Sequence, residues 1–511
     1  MAEMGTGSTA PYKAVSDSQR FTAPGFWVSA TLLLILSGVA CGYYLLSCVR
    51  VCEVGFPLDD AWIHQTYARN LGLNGEWAFL PGQPSAGSTS PLWTAILAVG
   101  YRLGLAPYWW SYLLGWLNLW GLSIIGMWVF NLLCPEYRSW GLVAGALLAL
   151  EWHLVWAAVS GMETLIFATL ALLVFGLLLV KEPPWFWLGA LIGLSAWVRP
   201  DGISLLGPAL LAAWLTQTRW SACGKVMVRL GLGFVLLFAP YLFFNRSLSG
   251  AWWPNTFFAK QAEYAVELQT SLWSRLAEQG ILPLVGVGAL LLPGFLYMIV
   301  MAVQQRAWQT LLAALWVIGF LALYALRLPV SYQHGRYVMP VMPVYFIWGL
   351  SGVIKLVGCP AAQAGWRVIG RAWGLSIGVL LILFYFLGAA AYQRDVALIE
   401  SEMVDTAQWL TRNTEPDSIV AAHDIGALGY FGERQLLDLA GLVSPEVIPF
   451  IRDEASLATY LDDQGADYLV TFPGWYPYLV SRASPMHVSQ GEISPLLGGE
   501  NMIVYRWKLS P

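Results

Sequence analysis

Charge is scarce in this chain of 511 residues: Asp, Glu, Lys and Arg make up only 11%, against 58% hydrophobic. Soluble domains carry roughly 25% charged residues, so the composition excludes an ordinary soluble protein and indicates a polytopic membrane protein. Cysteine is scarce too. The six are Cys41, Cys48, Cys52, Cys134, Cys223 and Cys359, none in the C-terminal part and no two at metal-ligand spacing, which argues against a disulfide scaffold there and against a cysteine metal site. No basic cluster is dense enough for nucleic acid. There is also no Gly-rich phosphate loop for a cytosolic nucleotide, no low-complexity tract and no internal repeat.

Apolar runs are abundant. Eleven predicted spans start near Trp27, Trp109, Gly141, Leu165, Trp185, Ile203, Leu230, Ile281, Leu311, Val338 and Gly374. The stretch Pro91 to Leu105 is shorter, contains Arg102, and opens with Ser90 then Pro91, a helix start. We read it as a helix on the membrane surface. With the N-terminus inside, the inner segments then hold Lys13, Arg20, Arg138, Lys181, Arg219, Lys225, Arg229, Arg306, Lys355, Arg367 and Arg371, in accord with the positive-inside rule.

The resulting organisation is an inner N-terminal tail (1–25), a membrane domain (26–392) with a large first outer loop (51–108), and an outer domain (393–511). That last part holds 17 acidic and 7 basic residues, a net −10 that leaves +6 for the rest. Amphipathic spacing at Val396, Ile399, Met403, Ala407 and Leu410 predicts a helix leading out of the membrane. Strands at Ser418–His423 and Tyr468–Phe472, with a helix over Leu457–Asp463 between them, predict a small α/β domain.

Span parity gathers the polar motifs on the outer face. Asp59 and Asp60 open a predicted helix on which Asp60, His64 and Tyr67 fall at i, i+4 and i+7 on one face. A carboxylate there can accept a proton while its neighbour holds a cation; alternatively, Asp59 caps the helix and Asp60 complements its dipole. Glu163, between two spans, can meet that pair or stand as a helix N-terminal acid. Arg199 and Arg336 suit phosphate oxygens through a planar fork, and Lys260 adds a third positive charge. Alternatively, Arg199 pairs with Asp201. Glu151 and His153, inside an apolar run, either pair with each other or serve function. His423 and Asp424 can face an acceptor, although a strand end capped by Asp424 is the favoured reading.

Taken in order, Asp59-Asp60-Ala61 with Tyr67-Ala68-Arg69-Asn70, Thr89-Ser90-Pro91-Leu92-Trp93, Gly161-Met162-Glu163-Thr164, Arg199-Pro200-Asp201-Gly202, Pro254-Asn255-Thr256 with Ala259-Lys260, and Gly335-Arg336-Tyr337 resemble a family. It is the GT-C superfamily of membrane glycosyltransferases using polyprenyl-phosphate sugars, and the likeness is nearest to the mycobacterial terminal arabinofuranosyltransferase type. Asp438-Leu439-Ala440-Gly441-Leu442 is a looser echo.

The resemblance implies an active-site cavity at the outer leaflet of the bacterial plasma membrane, with Asp60 or Asp59 as catalytic carboxylate. Arg199, Lys260 and Arg336 become candidate ligands of the donor phosphate. His64, Tyr67, Glu163, Asp201, His334 and Tyr337 complete the substrate-binding set. The reaction implied is a single inverting displacement from a polyprenyl-phosphate sugar to a cell-envelope glycan, lipid or protein. Cofactors are left at none, or a Mg or Mn ion between Asp59, Asp60 and Glu163. An O-antigen-type polysaccharide ligase and a lipid or sugar transporter are the alternatives. Where the pattern has an Asp shortly before the Gly-Arg pair, this chain has Ser331-Tyr332-Gln333-His334, so the resemblance does not extend to sugar specificity.

Overall fold

The computed structural model describes residues 24–49, 53–217, 219–358 and 364–507; Lys13, Arg20, Cys52 and Cys359 lie outside them. Among the described residues, seven helices are long and apolar enough to cross a membrane: Gly25–Val49, Pro107–Leu133, Trp220–Ser249, Gly288–Gln305, Trp308–Arg327, Tyr332–Val357 and Gly365–Asn413. Pro135–Leu150 and Trp152–Ala158, bent by 60°, form an eighth if counted as one span. The bend falls at Glu151, whose carboxylate accepts the Leu154 N–H at 3.2 Å and meets His153 Nδ1 at 2.8 Å. This intramembrane pair therefore caps a broken helix.

The other three expected spans are shorter. Thr164–Leu179 has 16 residues and Trp185–Val198 has 14, about 24 and 21 Å of helix against a hydrocarbon core of ~30 Å. The third, expected from Ile203, is a 3₁₀ turn over Pro200–Leu205 followed by the 11-residue helix Leu206–Thr216. The break has a local cause. Pro200 disfavours helical backbone at the residue before it, and Arg199 is extended at φ −151°, ψ 137°. Trp185–Val198 is held against Trp220–Ser249 by a glycine seam: a Cβ on Gly189 would fall 1.9 Å from the Leu230 carbonyl, and one on Gly233 1.9 Å from that of Phe186.

The first-loop helix, Asp59–Asn74, ends on left-handed Gly75 (φ 75°), whose N–H bonds the Asn70 and Leu71 carbonyls. Pro91–Arg102 packs on it through Trp93, Leu97 and Ala98 against Ala68, and Trp93 Nε1 donates to the Gly161 carbonyl at 2.9 Å.

The tail domain is a five-stranded mixed sheet: β1 (Ile419–Ala422), β2 (Gln435–Asp438), β3 (Tyr468–Thr471), β4 (Ala483–Val488) and β5 (Ile503–Trp507), in the order β2-β1-β3-β5-β4. β2, β1 and β3 are parallel, and β5 and β4 add antiparallel. The helix Glu454–Asp463 covers one face through Leu457 and Leu461, packed with Leu469 and Trp507. The domain is carried on the last membrane helix, which runs unbroken from Gly365 to Asn413 through a π-helical turn at Glu400–Val404.

It is also clamped to the helix Asp59–Asn74. Asp59 makes no cap of its own helix. Its two oxygens instead accept the N–H groups of Gly426 and Ala427, each at 2.7 Å, at the start of the tail helix Gly426–Phe431. Arg69, further along the same first-loop helix, donates to the Tyr430 carbonyl at 2.8 Å at the other end and lies over the Tyr430 ring. A carboxyl thus meets the N-terminal end of the tail helix and a cation its C-terminal end. The approach leaves no room for a side chain, since a Cβ on Gly426 would lie 2.0 Å from the Asp59 carbonyl.

Candidate active site

Between the membrane domain and the tail lies a cleft of about 1140 Å³. Asp59, Asp60, Lys260 and Arg336 line it from one side; His423, Asp424, Trp475 and Tyr476 line it from the tail. Asp60 is one residue, about 100° of helix, beyond Asp59, so one carboxylate docks the tail and the other turns into the cleft. Asp60 Oδ2 accepts from the Arg336 guanidinium and lies 3.4 Å from Lys260 Nζ. Tyr337 OH joins both cations, at 2.7 Å from Lys260 Nζ and 3.0 Å from Arg336 Nη2. Burial pushes the Asp60 carboxyl up, but Arg336 and Lys260 outweigh it and hold it well below the usual carboxylate range. Burial likewise works against the Lys260 ammonium, and Asp60 reverses the sign, raising its pKa above the ordinary value.

Arg336 follows three left-handed residues, Gln333 (φ 54°), His334 (φ 57°) and Gly335 (φ 69°). Such backbone costs roughly 1–2 kcal/mol for each residue other than glycine. His334 anchors it: Nε2 lies 2.7 Å from Asp395 Oδ2, which also accepts from Trp156 Nε1 at 2.9 Å. His334 therefore secures the segment that delivers Arg336 and does not itself line the cleft. Arg336 is 3% exposed, yet its Nε and Nη1 find no hydrogen-bond partner among the described residues. Unmade hydrogen bonds on a buried group cost about 1–3 kcal/mol or more, so the two unpaired nitrogens of this guanidinium are donors that acceptor oxygens would satisfy.

Arg199 is differently placed. Its Nε meets Asp201 Oδ1 at 3.2 Å, Nη1 meets Glu163 Oε1 at 3.5 Å, and Nη2 donates to Tyr324 OH at 3.0 Å. Tyr324 OH in turn donates to Asp201 Oδ2 at 2.6 Å. Glu163 Oε2 lies 3.3 Å from His64 Nε2, and His64 Nδ1 contacts Thr94 and Ser88 hydroxyls at 3.2 and 3.3 Å. Tyr67 OH bonds Ser85 at 2.5 Å and accepts the Gly87 N–H at 3.0 Å, pinning the Gly/Ser/Pro-rich loop. These residues form a buried scaffold behind the site. Arg199, His64, Tyr67, Glu163, Asp201 and His334, expected as substrate contacts, do not line the cleft in this structure; most of their polar atoms meet one another or neighbouring residues.

The carboxylates proposed to share a divalent ion are not gathered into one donor set. Asp59 holds the tail N–H groups, Asp60 holds Lys260 and Arg336, and Glu163 holds His64 and Arg199. Among the described residues, no group of three or more His, Cys, Asp or Glu is arranged to hold a metal. The donor set does not fit Mg or Mn, and no step below is routed through one.

The tail supplies what the sequence reading undervalued. His423 Nδ1 lies 2.7 Å from Tyr476 OH and Nε2 lies 3.3 Å from Glu263 Oε1, while the Glu263 carbonyl accepts from Arg452. Burial works against the imidazolium, but Glu263 outweighs it and raises the His423 pKa. Asp424 lines the cleft instead of capping its strand. Glu263 was missed altogether; its spacing of three from Lys260 on one helix was the available signal.

The chain shares its fold with solved structures of low sequence identity. Among solved structures, the chain is similar to ArnT from Cupriavidus metallidurans bound to undecaprenyl phosphate, at TM-score 0.58 and 17% identity over 94% of this chain and 98% of that one. It is also similar to the archaeal oligosaccharyltransferase AglB from Archaeoglobus fulgidus in complex with an inhibitory peptide and a dolichol-phosphate, at TM-score 0.57 and 13% identity over 89% and 70% of the two chains. Residues 390–505 match a family described as Domain of unknown function (DUF8728). No curated protein matches the sequence. The likeness reaches the superfamily fold and does not single out the mycobacterial arabinofuranosyltransferase type.

Proposed function

We propose that the protein is an inverting glycosyltransferase that moves a sugar from a polyprenyl-phosphate donor to a hydroxyl of a cell-envelope glycan, lipid or protein. Its cleft opens at the outer face of a bacterial plasma membrane, with the N-terminus inside. One observation carries this reading: a buried cationic pair, Lys260 and Arg336, is held by one carboxylate in a cleft on a GT-C fold, with two guanidinium N–H groups free. The lipid phosphates bound by the similar ArnT and AglB structures agree with it.

In this mechanism the donor phosphate takes the free N–H groups of Arg336 and shares Lys260, which relaxes the grip of both on Asp60. The ionised Asp60 then stabilises positive charge developing at the anomeric carbon. The bond from that carbon to the phosphate oxygen breaks with its electron pair leaving on the phosphate, whose charge Lys260 and Arg336 balance. The acceptor oxygen bonds to the opposite face of the same carbon, and its proton passes to a carboxylate of the cleft.

The test is transfer from polyprenyl-phosphate sugars carrying arabinose, mannose, glucose or galactose, measured with purified protein in detergent. Asp60→Asn is expected to lower turnover by about 10²-fold or more while the protein stays folded. Full activity in that variant would refute the role of Asp60. Failure of the wild-type protein to bind or use any lipid-phosphate donor would refute the transferase itself.

A further inference from the structure

We infer that Asp424, brought by the tail domain, is the catalytic proton acceptor, taking the acceptor's hydroxyl proton as that oxygen bonds to the anomeric carbon. The inference rests on the transferase reading and decides which carboxylate of the cleft does this work.

A general base needs a lone pair that is free and faces the substrate. Four aspartates line the cleft, and Asp395 is engaged by His334 Nε2 at 2.7 Å and by Trp156 Nε1 at 2.9 Å. Asp59 has both oxygens occupied by backbone N–H groups at 2.7 Å. Asp60 meets two cations through Oδ2, and they hold its carboxyl well below the usual carboxylate range against the effect of burial, which makes it a weak base. Asp424 lines the same cleft, and among the described residues no hydrogen bond or ion pair engages its carboxylate.

Its placement is fixed by the docking clamp, because Asp424 stands two residues before Gly426, whose N–H is held by the neighbour of Asp60. The groups facing it are His423 beside it, Asp59 and Asp60 from the first-loop helix, and Lys260 and Glu263 from the helix Asn255–Glu263. Burial raises its pKa most; His423 and Lys260 pull down while Asp60 and Glu263 push up, bringing it to about 6. A base in that range is ionised at neutral pH and still takes up a proton readily.

The step balances. The acceptor oxygen's lone pair forms the new bond, the phosphate leaves with the old bonding pair, and the released proton neutralises Asp424.

The test compares wild type, Asp424→Asn and Asp424→Glu for polyprenyl-phosphate binding, turnover at saturating donor, and its pH profile. Asp424 holds no scaffold group, so both variants should fold. Asp424→Asn should lose about 10²–10⁴-fold in turnover with donor affinity within about threefold of wild type. Its rate should no longer rise through about pH 6 as the wild-type rate does, and Asp424→Glu should restore part of the turnover with a displaced acid limb. Near wild-type turnover in Asp424→Asn, an unchanged acid limb, or an equal loss of donor binding and turnover would each overturn the assignment. A wild-type protein that binds no polyprenyl phosphate would instead count against the transferase reading, and this assignment would fall with it.

Discussion

Two buried arginines, Arg199 and Arg336, both sit among carboxylates and tyrosines, and they differ in what is left over. Every nitrogen fork of Arg199 is engaged by Asp201, Glu163 or Tyr324. Arg336 has two nitrogens, Nε and Nη1, without a partner among the described residues, and it lines the cleft. Both look alike in sequence as phosphate binders, because each offers the planar, permanently charged fork that suits phosphate oxygens. What separates a structural arginine from one that awaits a ligand is therefore saturation of its donors, a property of the assembled fold.

The sharpest way to break this comparison is to remove each guanidinium in turn. Arg199→Met strips the partner from buried Glu163 and Asp201 and should cost about 3–5 kcal/mol of stability, read as a lowered thermal midpoint, with donor affinity in the folded fraction within about threefold of wild type. A large loss of donor affinity at unchanged stability would place Arg199 in the substrate site after all. Arg336→Met should weaken polyprenyl-phosphate binding by about 3 kcal/mol, or roughly 10²-fold, since it removes at least two charge-assisted hydrogen bonds to the phosphate. Unchanged binding in titrations of that variant would count against the free N–H groups as a ligand site.

The two adjacent aspartates extend the contrast. Asp59→Ala should loosen tail docking by about 1–2 kcal/mol, seen as faster proteolysis between the membrane domain and the tail. Burial and the nearby Asp424 raise the Asp59 carboxyl to about 8 against the opposing pull of the Ala427 and Gly426 N–H groups. A pKa raised in the folded state means that the fold binds more protons, so the stability linked to Asp59 is fully present below about pH 4 and is lost as pH rises through about 8. Wild-type docking should weaken over that window, and the slope should be reduced in Asp59→Ala. The smallest effect belongs to Tyr337→Phe, which deletes the hydroxyl shared by Lys260 and Arg336; a loss of about 1 kcal/mol, a few-fold in donor affinity, is expected.

Much of this was legible before the fold was seen. Low charge and long apolar runs report the membrane domain, because an apolar segment of sufficient length declares itself locally. Asp60, Lys260 and Arg336 stood out through residue type, and the cleft does bring them together. The spans on either side of Arg199 and Asp201 read as short from the sequence and are short in the structure, whereas the shortness of Thr164–Leu179 was less legible. Strands β2, β4 and β5 were missed because short half-buried runs carry little periodicity. The roles of Asp59 and Asp424 were hidden for a different reason. Each depends on a contact across more than 350 positions of chain, and neighbouring residues in sequence carry no trace of such a meeting.

The unbroken helix from Gly365 to Asn413 that carries the tail domain has a consequence for how the chain tolerates change in length. Each residue added to a helix turns everything beyond it by about 100° and lifts it by about 1.5 Å. Because Gly426 must meet Asp59 with no room for even a methyl group, such a helix works as a screw thread set to one position. Single insertions or deletions within it are expected to swing Asp424 away from the Lys260 and Arg336 pair. The thread's pitch thus sets the alignment of the reaction centre from many residues away, and insertion scanning along this helix should find activity failing in phase with the helical turn.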